Sequence, residues 1–296
     1  MKISISPSHA LARGLSGLTL SFAAAALASS SSTTARAAPP SSPAPESKVS
    51  VAEAPIPPRI LSAYYGLDKL PLPVLRLCPL KRSVGADGMP VTFSVQLDPD
   101  TVKPEAFAVT TSTGEVVKPK CATLRPADEQ LENRTVLLAG TFGTIDAQPT
   151  AVEIVGDLRG AQGQPLRGLR SKRVTPLEDG PSLLLAERFA PDTPGLAGEC
   201  PTGTQHVVQL TWEGGVTGPE GADLKEPQRT AVEVTLGDGS TLTPTALADD
   251  DPDNFVHACL ATSVEAVSVA VKAGYFHDPR DDANPDTRIE IVPGKK

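Results

Sequence analysis

The sequence predicts an all-β chain of two tandem β-sandwiches, behind a leader and a proline-rich tether. Three observations carry this. Apolar residues alternate with polar ones in run after run, the period of a strand with one buried face. Turn signals punctuate the runs at sandwich-like spacing. No segment repeats its apolar residues at a convincing helical period; Ala127–Asn133 comes nearest, with one or two turns' worth.

The leader is residues 1–37. Lys2 and Arg13 supply positive charge, no acid is present, and an apolar run follows from Leu15 to Ala28. That run is too short and alanine-rich for a stable span, which needs about 20 apolar residues. Ala26-Leu27-Ala28 and Ala35-Arg36-Ala37 are small-residue cleavage sites, the second the better placed. These features predict a signal peptide and a secreted or periplasmic destination. No cysteine follows the run until Cys78, so no lipoprotein acylation site is expected. No later stretch is apolar enough to predict a membrane span, and the mature chain is expected to be soluble.

Residues 38–69 form the tether. Its first part holds Pro39, Pro40, Pro43, Pro45, Pro55, Pro57 and Pro58, a composition that favours extended, unpacked chain. Tyr64 and Tyr65 are expected to dock on the first sandwich as an entry segment. Loss of Lys2, Arg13 and Arg36 with the leader takes the net charge from −8 to −11. Such an acidic chain is a poor partner for nucleic acid or anionic lipid.

The first sandwich is expected over residues 70–176. Met89–Leu97 places Val91, Phe93, Val95 and Leu97 on one face, with Thr92, Ser94 and Gln96 on the other. Phe107–Val109, Val116-Val117, Thr135–Leu138 and Val152–Ile154 continue the strands. Asp87-Gly88, Ser112–Gly114 and Gly160–Gly163 supply turns. The stretch Thr175–Pro181 marks a boundary, and the second sandwich is expected over residues 181–296. There Val208, Leu210 and Trp212 share a face, as do Val232, Val234 and Leu236 ahead of the Gly237-Asp238-Gly239 hairpin turn. Phe255–Leu260, Val267–Val271 and Arg288–Val292 add strands. Trp212 continues the inward face, which predicts a core residue rather than a sugar platform.

Cys78, Cys121, Cys200 and Cys259 are an even set in a chain predicted to be exported, which indicates disulfides. Three pairings are possible. Two cysteines fall in each predicted sandwich, which favours Cys78–Cys121 and Cys200–Cys259. No C-x-x-C pair suggests zinc.

Within the first sandwich, Phe93-Ser94, Leu97-Asp98, Thr101-Val102, Phe107–Val109 and Gly114 are spaced as in a known family. Thr135–Leu137, Val152–Val155 and Gly163–Leu166 extend the match. Over residues 89–168 the chain resembles bacterial Ig-like domains of the surface-layer and adhesin type. The resemblance implies Ig-like sandwiches and a spacer or binding role at the cell envelope, with no catalytic residues. The family pattern usually lacks cysteines, so Cys78 and Cys121 depart from it.

Two acidic loops carry the clearest chemical signal: Asp249–Asn254 and Asp278–Asp286. The antiparallel return between them predicts that both sit at one end of the second sandwich. Crowded Asp and Asn oxygens suit Ca²⁺, which takes six to eight oxygen ligands. The expected ligands are Asp249, Asp251, Asp253, Asp278, Asp282, Asn284 and Asp286. The spacing Asp282, Asn284, Asp286 begins like an EF-hand loop, but Thr287 and Pro293 stand where its Gly and Glu belong, so a helical site is excluded. Solvated loops of ordinary composition are the competing reading. His257 and His277 flank these loops. His257 shares the parity of Cys259 and is expected to be a satisfied, partly buried histidine rather than a transition-metal ligand. The strip Arg159, Arg167, Arg170, Lys172 and Arg173 is the cationic patch of an acidic chain. It suits either an anionic envelope polymer or strand-edge protection.

No nucleophile elbow, P-loop, dinucleotide fingerprint or H-E-x-x-H motif is present. The expected function is therefore a non-enzymatic secreted or cell-envelope protein that binds or spaces. Its partner is an unidentified protein or envelope polymer. The alternatives are a secreted hydrolase with a dispersed site and a carbohydrate-binding module. The latter needs exposed aromatics, and the chain has one Trp and three Tyr.

Overall fold

Strand pairing organises the first half of the described chain into two facing sheets. The structure is a computed structural model and describes residues 57–66, 86–144, 146–196, 198–248 and 253–294. The predicted leader, most of the tether, Cys78, Asp249 and Asp251 lie outside these residues. All of the described residues belong to one compact unit, Ala54–Lys296.

The first sheet has the order β1-β2-β6-β5: β1 (Ile60–Ala63), β2 (Asp87–Phe93), β6 (Thr135–Gly140) and β5 (Cys121–Thr123). The second has the order β4-β3-β7: β4 (Val116–Val117), β3 (Phe107–Thr111) and β7 (Pro149–Ile154). Val91, Phe93, Val136 and Leu138 from one sheet meet Phe107, Val109, Val152 and Ile154 from the other. Strand alternation supplies these residues, since every second side chain shares a face. Ile60–Ala63, assigned to the tether by its neighbours' composition, instead forms β1 and pairs antiparallel with β2. Ile60 and Ala63 are buried in this first core, enough apolar contact to hold the segment in place.

The second half holds β8 (Leu183–Phe189), β9 (His206–Trp212), β10 (Val232–Leu236), β11 (Thr241–Leu242), β12 (Ala246–Ala248), β13 (Phe255–Leu260), β14 (Ala266–Val271) and β15 (Thr287–Pro293). They join in the order β11-β10-β14-β15-β8-β9-β13-β12. Strand β15 belongs to both layers. Thr287–Glu290 pairs antiparallel with β14, and Ile291–Pro293 pairs parallel with β8. The core lies between the layers: Val208, Leu210, Trp212, Val256 and Ala258 face Val232, Val234, Val269 and Val271. Trp212 is fully buried and stacks on Phe276, with ring centroids 4.7 Å apart. A helix absent from the sequence reading, α1 (Glu226–Ala231), leads directly into β10. Ala127–Asn133 forms turns rather than a helix.

One expectation about burial changes. All seven residues of β2 are buried, as are all six of β6 and of β13. Thr92, placed on a polar face by alternation, is wholly buried. The outer faces of these strands are covered because the two halves pack against each other. The strand also ends at Phe93 rather than Leu97.

Cys200 and Cys259 form a disulfide with Cα atoms 5.7 Å apart, pinning the loop after β8 to β13. Cys121 is also disulfide-bonded; Cys78, its expected partner, lies outside the described residues. The Cys200–Cys259 bridge spans 59 residues, for which chain entropy predicts about 4 kcal/mol of stabilisation. The Cys200→Ala/Cys259→Ala variant is expected to lose roughly 2–5 kcal/mol in urea unfolding. An unchanged unfolding midpoint would show that the bridge is incidental to stability.

Candidate functional site: a buried polar seam

Three cross-strand neighbours begin the site. Glu187 on β8 lies opposite Gln209 on β9, which lies opposite His257 on β13. All three point away from the second core and are buried. Against them packs the turn of residues 129–134, which leads into β6 of the first half. Arg134 places its guanidinium 2.6 Å from the Glu187 carboxylate, with both side chains at most 5% exposed. Burial pulls the Arg134 pKa down, and the Glu187 charge opposes that shift. Glu132 Oε1 lies 3.5 Å from Gln209 Nε2 and 3.8 Å from His257 Nε2. Gln209 Nε2 and His257 Nε2 are 3.1 Å apart. His257 also lines a cleft of about 280 Å³ formed with Asp192, Leu196 and Cys200.

The seam continues along the junction. Asn254 Nδ2 donates to Thr135 Oγ1 at 3.0 Å, and Thr135 is 3.1 Å from Thr92 Oγ1. Glu213 Oε1 accepts from Ser62 and Thr175, each at 2.8 Å. At the far end the Tyr64 hydroxyl lies 2.8 Å from Asp278 Oδ2 and 2.9 Å from the Asp179 carbonyl. Burial, reinforced by the Asp278 charge, pushes the Tyr64 pKa far up. Its hydroxyl therefore stays protonated and donates. Two glycines permit this close approach. A Cβ at Gly214 would come within 2.6 Å of the Tyr64 ring, and one at Gly180 within 2.0 Å of the Ala283 carbonyl oxygen.

Among the described residues, the expected calcium ligands divide between two places. Asp253 opens β13, is buried, and accepts from the Phe255 amide at 2.6 Å. Its carboxylate meets Glu129 and Glu132, with one oxygen from each within 4.8 Å of the others. Among the described residues this is the group of three acidic ligands that forms, and Asp253 is its one member from the expected set. Asp278, Asp282, Asn284 and Asp286 lie together between β14 and β15. Their oxygens largely cap the loop's own backbone. Asp278 Oδ1 accepts from the Arg280 and Asp282 amides, both at 2.9 Å. Asn284 Oδ1 accepts from Tyr275 and Phe276, and Asp286 Oδ1 from Ala273. Asp282 faces Arg280 at 3.4 Å. The described end of the first loop, Asp253 and Asn254, lies near the second loop. Val216 N donates to Asp253 O and the adjacent Thr217 N to His277 O, so this stretch runs between them.

His257 is buried with polar neighbours, but on the face covered by the first half rather than toward the second core. His277 Nδ1 is 2.8 Å from Asp281 Oδ1. Two of the basic strip's residues are paired, Arg159 with Asp157 and Arg170 with Glu153. The residues that sequence reasoning missed are Tyr64 as a bridge, Glu129, Glu132, Arg134, Glu187, Gln209 and Glu213. Polar side chains within otherwise apolar strands, Glu187 and Gln209 above all, were the available signal.

No protein-family model and no curated protein matches the chain. Among solved structures it is similar to the S-layer protein rSbsC at 14% identity, with a TM-score of 0.29, over 80% of this chain and 26% of that one. The N-terminal part of the bacterial S-layer protein SbsC gives 14% identity and a TM-score of 0.27, over 80% of this chain and 44% of that one. The chain thus spans less than half of either S-layer structure.

Breaking a buried ion pair from one side leaves an uncompensated charge, whereas removing both partners is often neutral. Arg134→Leu is therefore expected to cost about 3–5 kcal/mol in urea unfolding. The Arg134→Leu/Glu187→Leu double variant should recover most of that loss. Equal costs for the single and double variants would rule out the pair as the source.

Burial also raises the Asp278 pKa, although two amides and the Tyr64 hydroxyl hold it down. The folded chain then binds this proton more tightly than the unfolded chain. The associated stability is present below the ordinary carboxylate pKa and is lost as pH rises through the folded value. Asp278→Asn should therefore gain melting temperature relative to the parent as pH rises from about 4. A relative loss over that range would show the opposite shift.

Proposed function

We propose that this chain is a non-enzymatic, exported module that holds binding or load-bearing surfaces at a fixed geometry, as a secreted or cell-envelope protein. The observation that carries the reading is the buried polar seam between the two sandwiches. Tandem domains joined by a wet, hinge-like junction move relative to one another by default. Here a desolvated ion pair, a carboxylate shared by Ser62 and Thr175, and the Tyr64 bridge are all made in one arrangement. Displacing the halves would strand several of these groups at once, which opposes hinge motion. Fixed geometry suits a spacer or scaffold.

The export part of the reading rests on the leader, the disulfide chemistry and the proline-rich tether. A disulfide between Cys200 and Cys259 fits an oxidising compartment. The resemblance of residues 89–168 to surface-layer and adhesin Ig-like domains supports an envelope role. Among the described residues no helix is long and apolar enough to cross a membrane.

Fractionation of the producing cell, with intact mass measurement, tests export. The protein is expected outside the cytosol with Ala38 as its first residue; an unprocessed cytosolic chain overturns export. Calorimetry of the purified protein is expected to show one cooperative transition spanning both sandwiches. Two separated transitions would refute the locked unit, and turnover of ester, glycoside or peptide substrates would refute the non-enzymatic reading.

A further inference from the structure

The loop between β8 and β9 belongs to the second sandwich but reaches the first. Gly195 lies so close to the turn before β6 that a Cβ there would come within 2.8 Å of Gln130 Cβ. Leu196, Cys200, Val207 and His257 line one cleft of about 280 Å³. His257 neighbours Glu132 and Gln209, and Gln209 lies opposite Glu187 in the strand register. The loop therefore borders the end of the seam that holds the Arg134–Glu187 ion pair.

A second observation concerns what holds the loop in place. Among the described residues, the hydrogen bonds of residues 190–204 stay within the loop. Thr193 N donates to Ala190 O, Leu196 N to Thr193 O, and Thr204 N to Pro201 O. The tie from loop to sheet is the Cys200–Cys259 disulfide. Cys259 is wholly buried on β13, whereas Cys200 is half-buried and lines the cleft. Thiol–disulfide exchange begins when a thiolate reaches one of the two sulfurs. The cleft presents the Cys200 side.

We propose that this disulfide is a reducible clasp: a dithiol entering the cleft opens it at Cys200, releases the loop and unlocks the junction between the two sandwiches. One thiolate of the dithiol attacks Cys200 Sγ. The bond to Cys259 breaks, Cys259 leaves as a thiolate and takes up a proton, and Cys200 is held in a mixed disulfide. The second thiolate of the dithiol then displaces Cys200, which is protonated in turn. The dithiol ends as a disulfide, having passed two electrons and two protons to the cysteines. With the loop released, water reaches His257 and the ion pair beyond it. Once wet, those charges can part without being stranded in a dry interior. The clasp closes in an oxidising compartment and opens where a dithiol is supplied. The inference rests on the locked-junction reading above.

Amide hydrogen exchange of the purified full chain tests it, with dithiothreitol as the dithiol and no denaturant. Iodoacetamide trapping is expected to find Cys200 and Cys259 alkylated while the chain stays folded. Exchange in residues 129–134 should speed by about tenfold or more beyond any change in β3 and β7. Dithiothreitol also acts on the Cys121 disulfide, so Cys200→Ala/Cys259→Ala is measured without reductant and should show the same local rise. A bridge that yields only in urea overturns the proposal. A rise in 129–134 no larger than in β3 and β7 also overturns it, because general destabilisation would explain that. Two calorimetric transitions in the oxidised protein would refute the locked unit and the clasp with it. A single transition in the oxidised protein, with exchange in 129–134 unmoved by reduction, refutes the clasp alone.

Discussion

The desolvation of polar groups between the two sandwiches is the constraint on which the rest of the structure depends. A buried guanidinium or carboxylate is tolerable only with a partner in place. Arg134 and Glu187 belong to opposite halves, so their ion pair forms only when the halves meet. Glu213 likewise joins the halves: hydroxyls from Ser62 and Thr175 reach one oxygen, and the Ser182 amide of its own half reaches the other. Hydrophobic burial within each core makes the sandwiches, but these polar pairings select their mutual arrangement. The outer faces of β2, β6 and β13 follow from it: once the halves meet, strands that would carry one wet face carry none.

Glycine and tyrosine placement shows how closely the junction is fitted. The Tyr64 ring occupies space that any side chain at Gly214 would take. Gly180 lets the inter-sandwich segment touch the backbone at Ala283. Tyr64 then reaches from the end of β1 to both the connecting segment and the Asp278 loop. The connecting segment, Thr175–Pro181, reads in the sequence as a break between units, and its prolines and glycine support that reading. In space it is part of the join, with Thr175 paired to Ala63 and Leu177 buried in the first core.

Much of the fold was legible in the sequence because alternation is a local property. Val91 and Phe93, or Val208, Leu210 and Trp212, declare a buried face without reference to any other strand. The parity that links His257 to Cys259 came from the same rule, although both lie on the face turned away from the second core. The seam was not legible for the converse reason. Glu132, Arg134, Glu187 and Gln209 are ordinary surface residues when read locally. Their role appears only when the turn before β6 lies across β8, β9 and β13. The acidic loops illustrate the limit from the other side. Their composition drew attention to Asp278, Asp282, Asn284 and Asp286, yet most of those oxygens bind nearby amides, as Asp and Asn do in loops. Asp253 was grouped with them as a calcium ligand, but its neighbours are glutamates more than a hundred residues upstream. Strand β1 was hidden by the prolines before it, which outweighed a four-residue apolar signal.

The position of β1 has a mechanical consequence. Any pull transmitted through the chain ahead of Ile60 arrives first at a strand hydrogen-bonded to β2. The very next residue, Tyr64, is tied to the connecting segment and to the far sandwich. Tension is thereby divided among both sandwiches at the point of entry, so peeling one sandwich away first is disfavoured. A protein suspended by its upstream segment would bear strain as a single block.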